Sequence, residues 1–174
     1  MKKIYRHIDN VNVTPIFSDD KNDKKFRYKL EVIKTDVQQT NSKTVCVIMQ
    51  NPSYANKEVA DKSVQFIEKL IFYKGYVEFD GVYKIIVVNQ FALIQTKDFE
   101  GDDNTLDAEN EKSIKSAINA SDIILVAWGS DNKYKNRQKI INSLLCLVRD
   151  KKMYKTKSHP SRGDYKNFIS DYTP

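Results

Sequence analysis

The chain reads as an α/β protein of three layers, α/β/α, around a central, mostly parallel four-stranded sheet. Three observations predict this class. Short β-branched runs, VCVIM at 45–49, YKIIVV at 83–88 and IILVA at 123–127, are continuously apolar, as strands buried on both faces must be. Segments with a helical apolar stripe separate them. Strands that alternate with helices are joined by crossovers, and crossovers make parallel neighbours.

In chain order, residues 1–27 hold Pro15 and a turn-like DDKNDKK run at 19–25. They fit an N-terminal arm or a small strand pair packed on a single α/β domain spanning 28–174. Arg27–Ile33 alternates polar and apolar, which suits an edge or half-buried strand. The run at 45–49 is the first buried strand and stops at Gln50-Asn51-Pro52. Asp61 is placed to cap a helix whose stripe is Val64, Ile67, Leu70 and Ile71, ending at Gly75. The second buried strand ends at Asn89 and is followed by a polar loop over 95–104 and a helix over 107–120. The third ends at Trp128-Gly129. A helix over 134–148 turns Ile140, Ile141, Leu144, Leu145 and Val148 inward, and 153–157 is a last short strand.

Composition bounds the function. The chain has 174 residues, enough to bury a core, and 40% of them are hydrophobic, too many for a disordered chain. The basic start MKKIYRHIDN is not followed by an apolar run of signal-peptide length. No stretch approaches the roughly 20 apolar residues needed to cross a bilayer, so the expectation is a cytoplasmic protein without a membrane partner. Cys46 and Cys146 sit in apolar segments far apart, which suits buried, reduced thiols. With His7 and His159 the only histidines and no CxxC pair, neither a metal site nor a cofactor is expected. Phosphate-binding and dinucleotide-binding glycine motifs and the G-x-S-x-G elbow are absent.

Charge is uneven. The formal net charge is +6, and residues 133–166 carry eleven Lys or Arg against two acids. Such a stretch is either a solvated surface or a match for a phosphate backbone, which rewards neutralisation by releasing counterions. By contrast, 98–111 holds seven acids and no base. Its Gly101–Asn104 part does not have the spacing of a calcium loop.

Ligands of doubly wound sheets bind beyond the carboxyl ends of the strands, and here each end carries a polar or special residue. Asn51, stiffened by Pro52, reads either as a turn closing a strand or as an amide that positions water. Asn89 satisfies loop backbone groups, or grips an edge that presents both a donor and an acceptor, with Phe91 nearby to stack. Trp128-Gly129 reads first as packing and a tight turn. His159, stiffened by Pro160, is a structural histidine or a donor to a developing anion, with Ser161 holding phosphate.

The ordered set NPSYA at 51–55 with Asp61 beyond it, VVNQFAL at 87–93, GDDN at 101–104, VAWGS at 126–130 and KSHPSR at 157–162 resembles the family called domain of unknown function 1643, over roughly residues 28–168. More distantly, the same landmarks resemble the uracil-DNA glycosylase superfamily, which implies a uracil-DNA-glycosylase-like fold acting on a base flipped from the stack. Matched residue by residue, the resemblance puts Asn51 on the water-positioning residue, Asn89 on the base reader and His159 on the catalytic histidine. Trp128-Gly129 falls on a Trp-Gly that closes a strand of that fold. Ser53 stands where uracil-specific enzymes carry a tyrosine that excludes thymine. Phe66 or Phe91 is the expected aromatic wall of a base pocket, and Lys157, Ser161 and Arg162 the expected phosphate or DNA contacts. The chain departs from the pattern at Asn51, where efficient enzymes have aspartate, and at Arg162-Gly163-Asp164, where a leucine wedge is expected.

Three functions follow. The first is a glycosylase-like protein that binds nucleic acid or a nucleobase, with base excision weak, altered or lost. The second is an interaction protein whose basic groove binds a small acidic inhibitor that mimics DNA. The third is an enzyme of nucleotides or nucleosides.

Overall fold

A computed structural model describes residues 4–18, 25–37, 42–95, 99, 101, 108–129 and 134–174. The apolar runs form strands: β3 (Lys43–Met49), β4 (Val82–Asn89) and β5 (Ile123–Val126) are almost wholly buried. Their side chains alternate between two cores. Val45, Val47, Ile85, Val87, Ile123 and Leu125 face one layer, where α1 (Lys62–Phe72) contributes Val64, Ile67, Leu70 and Ile71. Cys46, Ile48, Ile86, Val88, Ile124 and Val126 face the other, covered by α2 (Ala108–Asn119) and α3 (Lys135–Leu145). A strand apolar on both faces is therefore sandwiched between helices, giving the three expected layers.

The sheet is larger and more mixed than the sequence suggests. The alternating segment at Arg27–Ile33 is strand β2 (Arg27–Lys34), and two further strands, β1 (Val11–Phe17) and β7 (Ile169–Asp171), join it with β3, β4, β5 and β6 (Lys152–Thr156) in the order β1-β2-β4-β3-β5-β6-β7. Parallel pairing is confined to the block β4-β3-β5-β6. The β1–β2, β2–β4 and β6–β7 ladders are antiparallel. A four-stranded, mostly parallel sheet is thus corrected, among the described residues, to seven strands with as many antiparallel ladders as parallel ones. The physical reason is that the added strands lie at the flanks, where a half-exposed strand needs no apolar run. In β1, Pro15 can occupy an edge because no neighbour asks for its missing N–H. Part of the leading segment is thereby built into the sheet. Tyr5 also bridges Ala60, and His7 donates to Glu68 on α1.

Element ends match local chemistry. Asp61 caps α1, its Oδ1 accepting from Val64 N at 2.9 Å, and Gly75 takes φ +67° just beyond the helix. α2 starts at Ala108, and the expected Asp107 start lies outside the described residues. α3 ends at Leu145 and continues as a 3-10 turn over Cys146–Val148. Ile140 points outward, 46% exposed, and Leu144 and Val148 are only partly buried, so Ile141 and Leu145 carry the inward face. Cys46 is buried, its thiol pushed up to about 12 by loss of water, whereas Cys146 is half-buried.

The connection β3–α1–β4 runs outward on one face, and β4–α2–β5 returns past β3 on the other. Right-handed crossovers place the helices this way. The chain therefore reverses direction between β3 and β5, and a crevice opens beyond their carboxyl ends.

Candidate functional site

A cavity of about 360 Å³ occupies that crevice, a volume within the range of small-ligand sites. Its walls come from three places. Met49, Gln50, Asn51 and Ser53 follow β3; Asp61 and Ser63 open α1; His159, Ser161 and Arg162 follow β6. Gln95 completes the rim. Five of the expected residues, Asn51, Ser53, His159, Ser161 and Arg162, meet here although about 100 positions separate the two groups.

The Asn51 amide is oriented by its neighbours. Its Nδ2 donates to the Gln95 carbonyl at 2.7 Å and more weakly to Pro52 O at 3.3 Å. Two carbonyl partners require the nitrogen on that side, so Oδ1 is left as an acceptor. His159 is fixed as firmly. The backbone N–H of Ser161 donates to its Nδ1 at 3.3 Å, and Ser161 Oγ lies 2.9 Å from the same nitrogen. Since an N–H can only donate, Nδ1 is the acceptor and the neutral ring carries its proton on Nε2. Burial, then the Arg162 charge, pull the His159 pKa below 6.5 against the opposing pull of Asp61. At neutral pH the cavity therefore holds an uncharged imidazole that donates from Nε2.

Gly129 explains how the histidine loop comes this close. It adopts φ +84°, and a Cβ built on it would meet the backbone nitrogen of His159 at 2.9 Å. The end of β5 is thus a seat for the segment after β6. Trp128 is buried in the core beneath α2 and α3, as a packing residue.

The other expected residues lie elsewhere. Asn89 ends β4 beside Met49 in the parallel ladder and is fully buried. Among the described residues neither amide atom of Asn89 has a hydrogen-bond partner, and Asn89 is not part of the cavity wall. Phe66 stacks on Tyr165, with ring centres 4.3 Å apart, and packs edge-on against Phe168. Phe91 packs edge-on against Phe99 and Tyr134. Both rings are spent on structure and neither lines the cavity. Lys157 is exposed and lines a separate cavity with Lys155, Asn167 and Phe168, which Gly129 also borders.

Two charged residues, one in the cavity wall and one behind it, carry more than their sequence positions indicate. Asp61 reads as a helix cap beyond the NPSYA segment, yet it brings a carboxylate into the cavity. Arg27 looks like one more charge of an alternating strand, yet it is fully buried. Its Nη1 donates to Ala55 O at 2.9 Å, while Nε and Nη2 have no partner among the described residues. Burial lowers its pKa to about 10, partly offset by Asp61. Because β4 lies between β2 and β3, a side chain reaching from Arg27 to Ala55 crosses the carboxyl end of β4, near Asn89. Among the described residues, no three His, Cys, Asp or Glu side chains gather as metal ligands. No helix among them is long and apolar enough to cross a membrane.

Sheet, reversal point and polar crevice together define a doubly wound α/β protein with antiparallel flanks and a candidate site at its strand ends. The chain belongs to the family described as protein of unknown function (DUF1643), whose model matches residues 27–163 and so takes in the whole cavity wall. Neither the curated proteins nor the solved structures yield a match.

Proposed function

We propose that this chain is a uracil-DNA-glycosylase-like protein that binds nucleic acid, or a nucleobase, at the crevice between the ends of β3 and β5. Any base excision there is altered by the amide at Asn51. The observation that carries the reading is the meeting of Asn51 and His159 in one cavity, each with a single fixed hydrogen-bonding role. Asn51 Oδ1 accepts and suits a water; His159 Nε2–H donates and suits the oxygen or nitrogen of a base that gains negative charge. Ser161 and the exposed Arg162 stand beside them as phosphate contacts, with Lys155 and Lys157 across Gly129. Asn89 is fully buried and outside this cavity, so it takes no part in the contacts proposed here.

The test is binding and cleavage of oligonucleotides containing uracil, hypoxanthine or a mismatch. We expect salt-dependent binding, weakened when Arg162 and Lys157 are replaced by Ala, because each lost phosphate contact lowers the salt slope by about one. Asn51→Ala and His159→Ala abolish any cleavage. A chain that binds no oligonucleotide at low salt overturns the proposal.

The same basic rim favours a second reading, in which a small acidic protein that mimics DNA occupies the groove. Competition between that protein and DNA for the wild-type chain, lost in the Arg162 and Lys157 variants, distinguishes it.

A further inference from the structure

The carboxylate missing at Asn51 is present in the cavity from another direction. Asp61 stands at the first turn of α1 and is only 6% exposed. One oxygen, Oδ1, is committed to the Val64 N–H at 2.9 Å. Its second oxygen has no hydrogen bond and no ion pair among the described residues, and the side chain lines the same cavity as Asn51 and His159. Capping a helix needs one oxygen and no charge, and Ser, Thr or Asn serve as well. A buried charge with an unused oxygen is therefore more than the cap requires. Arg27, buried behind the Ala55 segment, supports that charge without pairing with it directly.

We propose that Asp61 is the general base of this site, with Asn51 as its partner in holding the attacking water. The proposal rests on the reading given under Proposed function. A water has two hydrogens, and Asn51 Oδ1 and Asp61 Oδ2 are two acceptors on one cavity. Donating to both leaves the water's lone pairs free for attack. The water oxygen bonds to C1′ of the flipped nucleotide while the C1′–N bond breaks and its electron pair goes to the base. The water proton passes to Asp61 Oδ2, and His159 Nε2–H hydrogen-bonds the departing base. The base then takes up one proton, from Asp61 or solvent. The sum is hydrolysis to a free base and a sugar with a 1′-hydroxyl.

Asp61→Asn separates the chemistry from the cap, because the amide oxygen still accepts from Val64 N–H but cannot take a proton. Asp61→Ser is a second capping variant without a base. With the oligonucleotides above, the wild type releases base. Both variants lose about 10²–10⁴-fold in rate, the usual contribution of a general base, compared as single-turnover rates on folded protein saturated with DNA. Release by Asp61→Asn at a rate within a few-fold of wild type overturns the proposal. So does a wild type that binds DNA and releases nothing, a result that leaves the binding reading intact. Absence of binding in the wild type removes both.

Discussion

The backbone nitrogen of His159 lies where a Cβ on Gly129 would come within 2.9 Å of it, so the end of β5 and the histidine loop are in backbone contact. Gly129 also sits at φ +84°. Gly129→Ala therefore combines a left-handed backbone with a clash against main chain, which no rotamer change relieves. We expect a loss of about 1–3 kcal/mol from the backbone strain alone. Denaturant unfolding measures it, and loss of the His159 environment by NMR shows that the loop has left its seat. An alanine variant as stable as wild type contradicts this account.

The two histidines respond to pH with opposite sign. Burial and then Arg162 lower the His159 pKa below 6.5. Its stabilising contribution is present above 6.5 and is lost as pH falls through the lower folded value. For His7, burial opposes the charge, but the hydrogen bond and the charge of Glu68 outweigh it and raise the pKa above 6.5. Both ring nitrogens of His7 donate, Nδ1 to Glu68 Oε1 at 2.5 Å and Nε2 to Asn56 O at 2.9 Å. That contribution is full below 6.5 and is lost as pH rises through the higher folded value. Urea midpoints for His7→Gln and His159→Gln against wild type across this range test the pair. His7→Gln should cost most at acid pH, and His159→Gln should remove part of the acid-side loss.

The fully buried amide of Asn89 has no hydrogen-bond partner among the described residues. An unsatisfied buried polar group costs about 1–3 kcal/mol. Asn89→Leu, with the same number of side-chain heavy atoms, should raise the melting temperature and leave oligonucleotide binding at the cavity unchanged, because Asn89 is not part of its wall. A fall in stability would contradict this account of the buried amide.

Gly163 packs where a Cβ would lie 2.5 Å from the Phe66 ring and 2.7 Å from that of Phe168. Both rings are buried within one core cluster and have little room to move. Gly163→Ala is therefore expected to cost about 1–3 kcal/mol by overpacking and to shift the adjoining Ser161 and Arg162. Near-ultraviolet dichroism of the Phe66, Tyr165 and Phe168 cluster, read alongside the denaturant midpoint, checks it. A midpoint equal to wild type would show that the cluster gives way.

The buried strands and the helices between them were legible because each obeys a local rule. Val45–Met49 cannot be half-exposed, and Asp61 before an apolar stripe cannot avoid reading as a cap. The flanking strands were harder to read. β7 has three residues, β1 contains a proline, and neither is buried enough to leave a clear pattern. Ile140 misled for the opposite reason, since an apolar residue next to the inward stripe of α3 turns out to face solvent.

The sequence by itself determined the layers, the parallel block and the strand ends at which Asn51 and His159 stand, since periodicity and turn chemistry act between near neighbours. Only the tertiary structure decided which strand-end residues share a cavity. It buried Asn89 beside β3, tied Phe66 and Phe91 into aromatic clusters, carried the Asp61 carboxylate into the cavity and buried the Arg27 charge behind it. Those outcomes depend on strand order and on how closely Gly129 lets two loops approach, and contacts between segments far apart in the chain leave no local trace.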